Sequence, residues 1–243
     1  MIKKSLIVAG LLLTTTSATA SESYQTAGFS RIHASGDFVG SASSKSFSYD
    51  RNEFEYSLYK PNYIIKARYS IMPEQTLYST TTSKNYAYDY RRKSSGYGAT
   101  YIHKFYQTDK IYISPVINLS RVKSEGYAHL ANGAHWISTG TADNVITSRT
   151  DTDLSLDIMI AKEYKEFSTA YAVLGLVDDL AFKDSEDDER NNFTLTFGAE
   201  HHIKDNWRIL GSISKYLTDK KADSNWNATK NVTSFKLGID YKF

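Results

Sequence analysis

The chain has no cysteine, only three prolines in 243 residues, and almost no excess of either charge. The missing cysteine excludes a disulfide-stapled secreted scaffold. With 29 Lys and Arg against 27 Asp and Glu, the net charge of +2 leaves no overall electrostatic footprint for nucleic acid. No segment beyond the amino end approaches the roughly 20 apolar residues that a membrane-spanning helix needs. What the chain has in abundance is aromatic side chains, with 19 Tyr and 11 Phe.

The amino end follows a separate logic. Residues 1–4 are short and basic, residues 5–13 are mostly apolar, and residues 14–20 are small and polar, closing on Ala18, Thr19 and Ala20. This is the three-part layout of a secretory signal peptide with an Ala-x-Ala cleavage site. Residues 1–20 are expected to be removed, leaving 21–243 as a single exported domain. Export also argues against a nucleic-acid partner.

The carboxy end carries the sharpest pattern. Phe235, Leu237, Ile239, Tyr241 and Phe243 alternate with Ser234, Lys236, Gly238, Asp240 and Lys242. A period of two places the apolar set on one face of a strand and the polar set on the other. A last strand closing on Phe resembles the terminal strand of bacterial outer-membrane β-barrels. That resemblance implies that Phe235, Leu237, Ile239, Tyr241 and Phe243 form part of the signal read by the barrel assembly machinery. A barrel also evades hydropathy tests, because only every second residue meets lipid.

The same alternation recurs upstream. Ile111, Ile113, Pro115, Ile117 and Leu119 share one face; so do Leu154, Leu156, Ile158 and Ile160, with Asp153, Ser155 and Asp157 opposite. Tyr63, Ile65, Ala67, Tyr69 and Ile71 oppose Lys66, Arg68 and Ser70, and Phe193, Leu195, Phe197 and Ala199 oppose Thr194, Thr196 and Glu200. Trp207, Ile209, Gly211 and Ile213 alternate with Arg208, Ser212 and Ser214. Tight connections at 72–75, 107–110, 163–166 and 204–206 alternate with long polar ones at 35–52, 85–95, 125–151, 183–192 and 218–232. Short turns on one side and long loops on the other match periplasmic turns and extracellular loops. Phe105, Tyr106, Phe167, Trp207, Tyr241 and Phe243 lie near the tight turns or the chain end, as an interfacial aromatic girdle requires.

These segments predict an all-β, antiparallel, transmembrane up-and-down barrel of ten strands, over about 25–35, 53–71, 76–85, 95–106, 110–124, 152–163, 167–181, 193–203, 207–217 and 233–243. The phase of Phe54, Tyr56 and Leu58 differs from that of residues 63–71. Residues 60–62, which include Pro61, are therefore a bulge in one long strand, or a turn that raises the count to twelve. A three-residue turn at 204–206 is expected to pair Ile203 with Trp207, Phe197 with Ile213 and Glu200 with Leu210, with Asn206 in the left-handed region.

Inward positions carry Lys66, Arg68, Lys104, Asp157, Glu200, Arg208, Lys236 and Asp240. Both signs occur on strands that become neighbours. Such a mixture suits a salt-bridged polar interior; a charged constriction in a narrow pore is the alternative. As a pattern over its whole length, the chain resembles the small OmpA/OmpX-type and porin-type barrels. That resemblance implies a non-enzymatic cell-outer-membrane protein without cofactor. Its partners would be outer-membrane lipid, lipopolysaccharide and the assembly machinery, with small solutes or surface ligands unidentified.

Enzymatic constellations are weaker. His33 and Ser35 share a face and resemble the His-x-Ser pair of the outer-membrane phospholipase family, in which an Asn orients the His; Asn52 and Asn62 are the nearest candidates. Asp178 and Asp179 resemble the acidic pair of omptin proteases, but His201 and His202 fall beside a tight turn, at the other end of the barrel. Adjacent strand residues point to opposite faces, so the two histidines do not form a metal pair. The acidic run 184–189 lacks the spacing of a dedicated Ca²⁺ loop. The 125–151 loop, with Tyr127, His129, His135 and Trp136, is suited either to a partial plug or to an aromatic contact.

Overall fold

Each strand that alternates apolar and polar residues has one face for hydrocarbon and one for a lumen, and a sheet of such strands must close on itself to hide its edges. The computed structural model describes residues 23–39, 44–81, 87–108, 110–130, 145–165, 168–179, 192–217 and 228–243. Its strands are β1 (Tyr24–Val39), β2 (Ser44–Tyr59), β3 (Tyr63–Thr81), β4 (Ala87–His103), β5 (Tyr106–Gln107), β6 (Ile111–Leu130), β7 (Val145–Lys165), β8 (Ser168–Asp179), β9 (Asn192–Lys204), β10 (Trp207–Tyr216) and β11 (Ala228–Lys242). Every pair of sequence neighbours except β4 and β5 is antiparallel, β4 pairs instead with β6, and β1 pairs with β11. Ten long strands therefore form a closed up-and-down barrel, with the two-residue β5 tucked against β6.

The outer wall is apolar, as the alternation requires. Phe29, Tyr69, Leu119, Ile158, Leu174 and Leu237 are all exposed. One end of the barrel holds the tight turns and the carboxy terminus and is called the turn end; the other is the loop end. At the turn end Trp207 meets Tyr241 edge-on at 5.0 Å and Tyr164 stacks on His201 at 5.9 Å. Tyr56 lies 6.3 Å from Phe243. The terminal residue also joins the ladder, since Phe243 N–H donates to Gln25 O at 3.0 Å.

The count of ten stands, but three of the expected boundaries do not. Residues 60–62 are a turn, closed by Lys60 N–H donating to Tyr63 O at 2.9 Å. The phase change at Tyr56 and Leu58 marks a separate strand, β2, which begins as early as Ser44. The expected turn at 72–75 is a register shift inside β3, between Met72 and Gln75. Pro73 cannot donate to a ladder. Beside it the Gln75 amide replaces the missing backbone bonds, accepting from Asp50 N–H at 2.9 Å and donating to Asp50 O at 2.7 Å. The two misplacements cancel in the strand count. The strands also run further toward the loop end than expected: β6 continues to Leu130 and β7 begins at Val145, inside the presumed 125–151 loop.

The β9–β10 hairpin keeps the expected register, with Phe197 opposite Ile213 and Glu200 opposite Leu210. Its turn differs. Lys204 pairs with Trp207 around a two-residue connection, and a shift between Trp207 and Arg208 restores the phase. The residue with positive φ is Asp205, at 53°, rather than Asn206. Leu210 faces inward with Glu200, an exception to the apolar-outside rule. The signal peptide at 1–20, the acidic run 184–189 and residues 131–144 lie outside the described residues.

Candidate functional site: the barrel lumen

A lumen this narrow is filled by side chains, and its polar atoms must satisfy one another. The central feature is a chain of seven residues that alternate in sign: Asp240, Arg208, Glu200, Lys66, Glu55, Lys236 and Glu53. Arg208 is only 2% exposed and grips Asp240 with both arms of its fork, Nε to Oδ1 at 3.0 Å and Nη2 to Oδ2 at 2.6 Å. Its Nη1 lies 2.9 Å from Glu200. Lys66 bridges Glu200 at 3.5 Å and Glu55 at 3.1 Å. Lys236 bridges Glu55 at 3.8 Å and Glu53 at 2.6 Å. Each of the three cations thus lies between two carboxylates, an arrangement that offsets desolvation far better than isolated pairs do.

Two tyrosines complete the turn end of this chain. Tyr24 and Tyr59 stack at 4.3 Å, the Arg208 guanidinium lies over the Tyr59 ring at 5.1 Å, and Arg208 Nη2 donates to the Tyr59 hydroxyl at 3.0 Å. Planar cation on aromatic face is a favourable contact in a desolvated site. Bare positions opposite make room for these groups. A Cβ on Gly28 would lie 2.6 Å from that of Asp240, its partner on β11.

The other side of the turn end is apolar on the inside as well. Tyr59, Ile64, Ile102, Tyr112, Val116, Met159 and Ala161 form a buried cluster on β2, β3, β4, β6 and β7. Between this cluster and the ionic chain lies a cavity of about 240 Å³, lined by residues that include Lys66, Arg68, Lys104, Asn118, Asp157 and Glu163.

The expected inward charges therefore separate into two groups. Lys66, Glu200, Arg208, Lys236 and Asp240 meet in one chain. Lys104 stands apart, 3.7 Å from Glu163 and over the Tyr112 ring at 4.9 Å. Asp157 is held by neutral groups, Asn118 Nδ2 at 2.6 Å and Ser155 Oγ at 3.1 Å, while its Oδ1 is buried without a partner. Arg68 lines the same cavity but forms no ion pair within 4.0 Å among the described residues. The residues missed from sequence, Glu53, Glu55, Tyr24 and Tyr59, lie on β1 and β2. The phase change at Phe54 was the available signal, because it turns Glu53 and Glu55 inward once residues 60–62 are read as a turn.

The other candidates lie apart from the lumen. Phe235, Leu237, Ile239, Tyr241 and Phe243 project outward along β11 and its end, all exposed. His33 contacts Asp50 at 3.0 Å, its cross-strand partner on β2, rather than Asn52 or Asn62. Arg31 reaches the other oxygen of Asp50 at 2.8 Å. Ser35 makes no hydrogen bond to His33, so the nucleophile–base contact of a hydrolase is not formed. His201 faces outward against Tyr164, with 3.0 Å from Nδ1 to the hydroxyl, while His202 takes the opposite face, its backbone N–H donating to Ser168 Oγ at 2.9 Å. Asp178 and Asp179 are at the loop end of β8, far from that turn. Among the described residues no cluster of three or more His, Cys, Asp or Glu is placed to hold a metal.

No protein-family model matches the chain, and no curated protein matches it by sequence. Its structure is similar to that of the translocator domain of the autotransporter NalP from Neisseria meningitidis, with a TM-score of 0.54 at 10% identity over 99% of this chain and 94% of that one. The outer membrane protease OmpT from Escherichia coli aligns at 0.47 and 10% identity, over 94% and 99% of the two chains. The transport unit of the autotransporter AIDA-I from Escherichia coli aligns at 0.45 and 10% identity, over 99% and 97%. At such identity the likeness to NalP establishes the fold, that of an outer-membrane β-barrel.

Proposed function

We propose that this chain is an integral outer-membrane barrel with a structural or surface-interaction role, non-enzymatic, whose lumen is shut at the turn end. The observation that carries this reading is the crossing of the lumen by the seven-residue ionic chain, with Arg208 at 2% exposure and the apolar cluster beside it. Solute passing through would have to separate buried ion pairs, each of which leaves an uncompensated charge when broken. The outward row from Phe235 to Phe243 fits the terminal signal for barrel assembly. Lys93 and Lys123 stand on the strand extensions at the loop end, where they suit the phosphates of lipopolysaccharide.

A narrow diffusion channel is the second reading, and the cavity beside the ionic chain favours it. Single-channel recording from the folded barrel in a planar bilayer separates the two. The closed-lumen reading expects a silent bilayer, with folding verified by heat-dependent gel mobility. Discrete, long-lived current steps from folded protein would overturn it in favour of the channel.

A further inference from the structure

The loop end of the lumen holds a second cavity, also of about 240 Å³, whose lining differs in kind from that of the first. Phe47, Met72 and Leu77 are buried in its wall, and Val122 and Val232 continue the apolar surface. Phe47 and Tyr49 lie nearly parallel with centroids 6.2 Å apart. The charged residues of the lining are Arg51 and Arg92, and no carboxylate stands among them. Arg92 donates from Nη2 to Ser124 Oγ at 2.8 Å, a neutral acceptor. Arg51 Nε is buried without a hydrogen-bond partner. Glu53, the next inward residue on β2, is already held by Lys236 at 2.6 Å.

Two guanidiniums in a partly desolvated chamber are costly unless an anion joins them. Their planar forks match a carboxylate, and they stay charged at any physiological pH. Apart from Ser94, Tyr49 and Tyr216 the remaining wall is apolar, with room on the order of ten water molecules. A ligand that satisfies both halves has one oxyanion and a compact apolar body. We propose that this chamber binds a small carboxylate with an apolar body, the carboxylate between Arg51 and Arg92 and the body against Phe47, Met72 and Leu77. The one-residue register shift between Met72 and Gln75 reverses the phase of β3 and so brings both Met72 and Leu77 inward, and an irregularity in β3 builds part of the apolar wall. The assignment does not depend on whether the lumen conducts.

The test is calorimetric titration of the purified, folded full chain with benzoate, with acetate and toluene as probes lacking one half each. Saturable benzoate binding is expected, with acetate and toluene at least tenfold weaker. Charge-assisted hydrogen bonds of this kind correspond to about 10- to 100-fold in affinity, so Arg51→Gln and Arg92→Gln should each weaken benzoate by that factor. Arg51→Lys keeps the charge without the fork and should bind at intermediate strength, which preserves the test if Arg51→Gln does not fold. Absence of saturable binding to folded protein, acetate binding as well as benzoate, or unchanged affinity in the folded arginine variants would each overturn the proposal. Because no current is measured, a negative result leaves the closed-lumen reading standing, and current steps alone leave this one standing.

Discussion

The two levels of the lumen solve the problem of inward charge in opposite ways. Toward the turn end, Arg208, Lys66 and Lys236 each lie between two carboxylates and the signs alternate without a break from Asp240 to Glu53. Toward the loop end, Arg51 and Arg92 share an apolar chamber with no carboxylate in its lining. The same side-chain type is thus a structural element at one level and an uncommitted group at the other. Coulomb attraction secures a fold only where the partner is already in place; where it is not, the charge is available to a ligand.

The comparison breaks most visibly at Arg208. Arg208→Met leaves Asp240 buried without its cation and Glu200 with Lys66 alone, and is expected to destabilise the barrel by about 3–5 kcal/mol. Urea unfolding followed by gel mobility measures this, and a loss below about 1 kcal/mol would mean the ionic chain is not what holds the turn end. The outer wall gives a control outside the lumen. Leu156 is exposed on the lipid face of β7, and Leu156→Arg is expected to cost about 2–4 kcal/mol in the same assay in lipid. A negligible loss there would contradict the placement of the belt. At the loop end the expectation reverses: Arg51→Gln removes a cation that has no ion-pair partner, so stability should stay within about 1 kcal/mol of the parent. A loss comparable to that of Arg208→Met would show that Arg51 is structural after all.

The smallest effect lies on the strand extensions beyond the belt. Glu125 accepts from Lys123 at 2.9 Å, Tyr127 at 2.7 Å and Lys93 at 3.0 Å, and these hydrogen bonds, that from Lys123 first, hold its carboxyl down at about 2. A carboxyl depressed in the folded state contributes stability that is full above its unfolded value, about 4.3, and is lost as pH falls toward 2. The contribution is small because the cluster is at the surface. Carboxyl ¹³C titration should give a midpoint near 2 for Glu125, moving up in Lys123→Gln; a midpoint near 4 in the parent would mean the cluster does not form in solution.

Much of the barrel was legible because alternation is local. The outward faces of β6, β7, β9, β10 and β11 follow from a period of two and need no tertiary information. The register of the β9–β10 hairpin followed from keeping Phe197 and Ile213 on one side. Residues 72–75 misled for an equally local reason: Met-Pro-Glu-Gln has turn-like composition, and only the docking of the Gln75 amide on Asp50 allows the strand to run through it. With that turn misplaced, β2 merged with β3, and Glu53 and Glu55 were lost from the inward set.

The sequence by itself determined which side of each strand meets lipid, that the count is even, and that the last strand ends in an outward aromatic row. Only the tertiary structure decided which inward charges meet. Lys236 reaches Glu53 across 183 residues and Arg208 reaches Tyr59 across 149. Closure of β1 on β11 makes such pairs, and their identity depends on register summed around the ring rather than on any local pattern. The same summation left Arg51 and Arg92 in one chamber whose lining holds no carboxylate.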